Sequence, residues 1–187
     1  MGSEAALWLT VDVIGSLALL GGACLALGVA TRRPLRVRPF WAGAAVGMAI
    51  LAADERFSMH ERAGRWLDAE GVGTPVGLNH MDDAVLLATA ALGVVFVAAL
   101  WREAAMSRTF LATLGAAAAV TALALGIDAF APVDGWAPRT EEPVELAGQL
   151  LLLAAFARRW LEVRSPRSPS LSVPAGPLRA DDEGLVT

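Results

Sequence analysis

Nine acidic and imidazole residues stand at spacings that would let them meet across a helical bundle. Asp54, Glu55, His60 and Glu61 fall in the run DERFSMHE, His80 and Asp83 are three residues apart, Asp128 stands alone, and Glu142 and Glu145 belong to EEPVELAGQ. Carboxylate and imidazole donors contributed by several helices suit iron, manganese or zinc, and a divalent cation offsets the repulsion among converging acids. The expected chemistry is therefore a divalent metal centre. Asp54, Glu61, His80, Asp83, Glu142 and Glu145 are its principal candidate ligands, with Glu55, His60 and Asp128 as further ligands or their supports. Such a centre activates a bound water for hydrolysis or carries out a redox step. The single cysteine, Cys24, excludes an intramolecular disulfide framework and a cysteine-based zinc site.

Helical spacing sorts these residues by face. At about 100° per residue, Gly43, Gly47, Asp54 and Glu61 share a stripe, and the glycine pair makes a small-xxx-small contact expected to turn that stripe inward. His60 is rotated by about 100° from Glu61. Glu142, Glu145 and Gln149 form a second stripe, with Glu141 in reach of Glu145. The set is similar in outline to ferritin-like di-iron carboxylate bundles, although its pairs are His80-x-x-Asp83 and Glu142-x-x-Glu145, with no Glu-x-x-His. Quieter roles compete. Asn79 and Asp82 have capping-box spacing, Glu141 and Glu142 complement a helix dipole, Glu61 pairs with Arg65 at i, i+4, and Cys24 reads as a small buried apolar residue.

The elements that must position these groups are membrane spans. Of 187 residues, 56% are hydrophobic and 18% charged, with a mean hydropathy of +0.53, which is too apolar for an ordinary soluble domain. A bilayer core of about 30 Å needs roughly 20 apolar residues of helix. Five runs meet that need, at about 7–30, 40–66, 80–101, 107–131 and 141–161. The second has a purely apolar part that stops at Ala53 and must continue through DERFSMHE. Thr140 ahead of two glutamates and Pro143 fits the start of the fifth. The expectation is an all-α integral membrane bundle of five helices over residues 1–163, followed by a disordered Ser- and Pro-rich tail, 164–187. The first span has no basic leader and reads as uncleaved.

Every basic residue is arginine. Eleven of the fifteen follow spans one, three and five, so the positive-inside rule places the N-terminus outside and the C-terminus in the cytoplasm of a cell with an inner membrane. Trp8, Trp66 and Trp136 then mark outer ends and Trp41, Trp101 and Trp160 inner ends, as interfacial rings should. Sorted by side, the net charge of -4 separates into fourteen acids against four arginines outside and five acids against eleven arginines inside. Asp54, Asp83 and Glu145 lie about 20, 27 and 22 Å above the inner tryptophans. Ionisable groups at such depth are functional candidates. The partner implied is the lipid bilayer, with a homo-oligomer as the way to complete any path through the inner halves, which lack ionisable groups. No net basic field is present to recruit nucleic acid.

The stretches DERFSMHE and EEPVELAGQLLL together resemble a set of uncharacterised prokaryotic multi-pass membrane proteins, in which an Asp-Glu-x-x-x-x-His-Glu run ends one span and a Glu-Glu-x-x-Glu run begins the last. The resemblance implies that Asp54, Glu55, His60, Glu61, Glu141, Glu142 and Glu145 belong together. Three readings stand beside a metal centre: a cation or proton relay, a haem held by His60 and His80, and a non-catalytic membrane subunit.

Overall fold

The long apolar runs become long helices in the computed structural model, which describes residues 3–104, 107–130 and 137–165. The order is α1 (Ser3–Arg32), a 3-10 turn (Leu35–Val37), α2 (Arg38–Phe57), α3 (Met59–Ala69), α4 (Met81–Ala99), α5 (Trp101–Ala104), α6 (Arg108–Phe130) and α7 (Ala137–Arg164). The fold is all-helical, with no strand among the described residues. Pro34 follows α1 closely, and Pro39 sits in the first turn of α2, where a missing N–H costs nothing.

Among the described residues, four segments are long and apolar enough to cross a membrane: Thr10–Arg32, Leu35–Phe57, Met81–Ala99 and Arg108–Phe130. The run at 141–161 differs from them. It lies within α7, which starts earlier, at Ala137, and carries Pro143 inside the helix. Only twelve residues, 146–157, separate Glu145 from Arg158. The run at 40–66 is likewise not one helix. It is divided at Ser58, the residue between α2 and α3. The tail at 166–187, Trp136 and Asp134 lie outside the described residues.

In the bundle, α1 packs between α2 and α7, α7 continues onto α6, and α3 folds back along α4. Small residues on α1, Ala23, Ala26 and Ala30, are buried in the common core and let its backbone approach its neighbours. Gly43 faces the Phe96 ring of α4, whereas Gly47 has open space where a side chain would go. Only half of the expected glycine contact is thus made. Cys24 is exposed rather than buried, because it lies off the packed stripe of α1.

Aromatic rings fill the arginine-rich half of the core. Trp41 and Phe110 are fully buried, with centroids 5.3 Å apart, and Phe156 stands edge-on to both at 6.0 and 5.4 Å. Phe40 stacks on Phe96 at 5.7 Å, tying α4 to α2. Each such pair adds about 0.5–1.5 kcal/mol beyond the area it buries. At the same end, Glu162 of α7 accepts hydrogen bonds from Ser107 and Thr109 at the start of α6 and from Arg159. That arrangement joins two helices through one carboxylate.

Candidate functional site

The charged run 54–61 turns on a left-handed residue. Ser58, at φ 46° and ψ 53°, ends α2 and begins α3 without a side-chain cap bond of its own. Asp54 supplies the cap from the preceding turn. Its Oδ1 accepts the His60 backbone N–H at 2.7 Å, and its Oδ2 lies 2.9 Å from His60 Nδ1. The amide is among the first donors of α3, which have no partner within the helix, so both Asp54 oxygens serve the break. The expected common stripe of Asp54 and Glu61 is corrected here, because the left-handed residue interrupts the helical register between them. Glu61 instead pairs with Arg65 on the exposed face of α3, at 3.1 Å.

One residue further on, and about 100° around the helix, Glu55 is the α2 acid that enters the bundle. Its carboxyl lies within interaction distance of Glu145 and Gln149 of α7, while Gln149 Nε2 donates to Glu145 Oε1 at 3.4 Å. Both α2 and α7 bring these groups against Gly15 of α1. A Cβ at that position would lie 2.9 Å from Glu55 Oε1 and 3.1 Å from Gln149 Cδ. The neighbouring Ser16 and Gln149 are 6% and 7% exposed. Ser16 Oγ, Gln149 Oε1 and Glu142 Oε2 are buried with no hydrogen-bond partner among the described residues. Leaving such a group unsatisfied costs about 1–3 kcal/mol. Asp12 and Glu142 add the surrounding negative charge.

A second acidic region forms where α4, α6 and α7 begin or end. His80 is the N-cap of α4 and forms a capping box with Asp83: the His80 N–H donates to Asp83 Oδ2 at 2.7 Å, and the His80 side chain accepts the Asp83 N–H. The box is therefore one residue beyond the expected Asn79 and Asp82. Asn79 spans the gap to α6 instead, its Nδ2 donating to the Asp128 carbonyl at 3.1 Å. Asp82 is pressed against Gly64, where α3 and α4 approach so closely that a Cβ on Gly64 would meet the Asp82 backbone nitrogen at 2.6 Å. Asp128 lies within electrostatic reach of Asp83, His60 and His80, and Glu141 within reach of Asp128 and Asp83.

The nine residues singled out by type are thus distributed rather than merged. Asp54 and His60 close a helix break, His80 and Asp83 cap a helix with Asp128 in electrostatic reach, Glu61 faces outward, and Glu55 and Glu145 come together at the α1, α2 and α7 junction with Glu142 in electrostatic reach. Among the described residues, no group of three or more His, Cys, Asp or Glu side chains is placed to hold a metal ion. The groups that do converge are the Glu55 and Glu145 carboxyls and the Gln149 amide. Spacing alone would have ranked Glu55 above Asp54: Trp41, Ala45, Met48, Ala52 and Glu55 follow one another at intervals of four and three, the periodicity of a packed helix face. The matching stripe on α7 is Glu145, Gln149, Leu152, Phe156 and Arg159.

The family model described as Domain of unknown function (DUF8692) matches residues 1–160. No curated protein and no solved structure matches the chain.

Proposed function

The chain belongs to the DUF8692 family, and we propose that it is a five-span protein of the cytoplasmic membrane that binds a cation in the extracytoplasmic half of its bundle. In this reading residues 141–161 of α7 form the fifth span, with the N-terminus outside and the C-terminus inside. Arginines concentrated after α1, α4 and α7 support that orientation. The cation site is the junction of α1, α2 and α7. Glu55 and Glu145 are its charged ligands, Gln149 Oε1 and Ser16 Oγ its neutral ones, and Glu142 stands beside them.

One observation carries this reading. Two carboxyl groups, Glu55 and Glu145, flank one nine-tenths buried amide, Gln149, whose oxygen lacks a partner among the described residues. A positive charge between them resolves both the repulsion and the missing bond. The donors are all oxygen, which favours a hard cation such as manganese, magnesium or calcium over the iron or zinc that histidine ligands would favour. Imidazoles are committed elsewhere, to Asp54 and to the α4 cap. Beneath the site the aromatic core of Trp41, Phe110 and Phe156 closes the way to the other face, so the reading is of binding from outside rather than of a through-channel.

Purified protein equilibrated with manganese, magnesium or calcium and then desalted tests it by elemental analysis. About one equivalent per chain is expected, lost in Glu55→Gln and Glu145→Gln and kept in Glu61→Gln. Absence of bound metal under every supply overturns the metal reading and leaves a shared proton as the positive charge.

A further inference from the structure

A second set of unsatisfied groups lies at the opposite end of the same α7 stripe. Arg159 is fourteen residues from Glu145, about 21 Å along the helix. It is 5% exposed, although a long cationic side chain so near a helix end would ordinarily extend to the interface. Its Nη1 donates to Glu162 Oε2 at 2.6 Å. Nε and Nη2 are buried with no partner among the described residues. The guanidinium carbon lies 5.8 Å from the centre of the Trp41 ring, and the Trp41 indole N–H is buried and unpartnered too.

These are all donors, in contrast to the acceptors at the acidic end. Glu162 does not reach them: its Oε2 takes Arg159 Nη1 and its Oε1 takes Ser107 and Thr109. Further positive charge lies on the next residue's ring: Arg32 and Arg164 stand over Trp160 at 4.0 and 5.3 Å, whereas Arg158 is exposed and makes no such contact among the described residues. Guanidinium and indole donors gathered at the arginine-rich end of a membrane bundle have the chemistry of a phosphate site. Basic pockets between spans at the interface are suited to lipid headgroups.

We propose that Arg159 and Trp41 bind the phosphate group of an anionic phospholipid at the arginine-rich end of α2 and α7. The site is separate from the carboxylate junction and has the opposite charge. The headgroup phosphate takes the free Arg159 donors and the Trp41 N–H, while Arg32 and Arg164 hold its surroundings positive.

The test uses the full chain, stripped of lipid in a neutral detergent and offered phosphatidylglycerol, phosphatidylcholine or inorganic phosphate, with bound molecules counted by native mass spectrometry. One phosphatidylglycerol per chain is expected, retained at least tenfold better than phosphatidylcholine. Arg159→Gln should reduce retention at least tenfold and Trp41→Phe severalfold, with Arg158→Gln unchanged. Should Arg159→Gln fail to fold, Arg159→Lys and Trp41→Phe decide. Saturable inorganic phosphate that depends on Arg159, with no preference among lipids, keeps the phosphate site and overturns the lipid as its source. Equal retention of both lipids without phosphate binding, or an equal loss in Arg158→Gln, overturns the proposal.

Discussion

Asp54 holds His60 by two bonds at once, Oδ1 on its backbone N–H and Oδ2 beside its ring, across the left-handed Ser58. This pairing ends α2, starts α3, and leaves Glu55 rather than Asp54 turned to the bundle interior.

If Asp54 works as a cap, Asp54→Ala should lower stability by about 1–2 kcal/mol, the upper part of the range for lost helix caps. Cation content should stay unchanged. Thermal unfolding in detergent alongside elemental analysis checks both; loss of metal with intact stability would return Asp54 to the ligand set.

Gly15 is the point where α1 yields room to Glu55 and Gln149. Gly15→Ala should cost about 1–3 kcal/mol through overpacking and should displace the bound cation. Gly47→Ala, where the space is open, should be neutral or stabilising by up to about 1 kcal/mol. Equal melting temperatures for the two variants would contradict the packing at Gly15.

Burial pushes the Glu162 carboxyl up, but hydrogen bonds from Arg159, Ser107 and Thr109 outweigh it and hold the group below its ordinary value of 4.5. A lowered folded value means that its contribution is complete above the unfolded value and is lost as pH falls through the folded one. Glu162→Gln should therefore be less stable than wild type at pH 7, and the difference should shrink below about pH 4.5. Melting curves of both proteins from pH 7 to pH 3 measure it; a difference that does not vary with pH would remove the carboxylate from this role.

Five spans and four make opposite predictions for the residue after α7. In a Cys24→Ala background, Glu70→Cys should react with a membrane-impermeant maleimide on intact cells, and Ser165→Cys only after permeabilisation. Labelling of both on intact cells would mean that α7 does not cross.

Much of the fold was legible along the chain. Runs such as Leu7–Ala30 and Phe110–Ala131 are long and apolar enough that helices able to cross a membrane follow from length and composition. A cap bond depends on one residue's register, and neither Asn79 nor His80 announces by type which of them will start α4. Likewise, a stripe drawn from Gly43 through Asp54 assumes one continuous helix, an assumption that fails at Ser58.

Residue types by themselves determined that this chain forms apolar helices, gathers arginine at one end of them and acid at the other, and carries oxygen donors in quantity. Tertiary structure decided which of those donors meet. Rotation by one residue moves a side chain about 100° around a helix, so the choice of Glu55 over Asp54 rests on how α2 packs against α1 and α7. The burial of Arg159 over Trp41 has the same origin: the stripe that takes Glu145 to the acidic junction carries Arg159 under the aromatic core, and only the packed bundle removes its nitrogens from water.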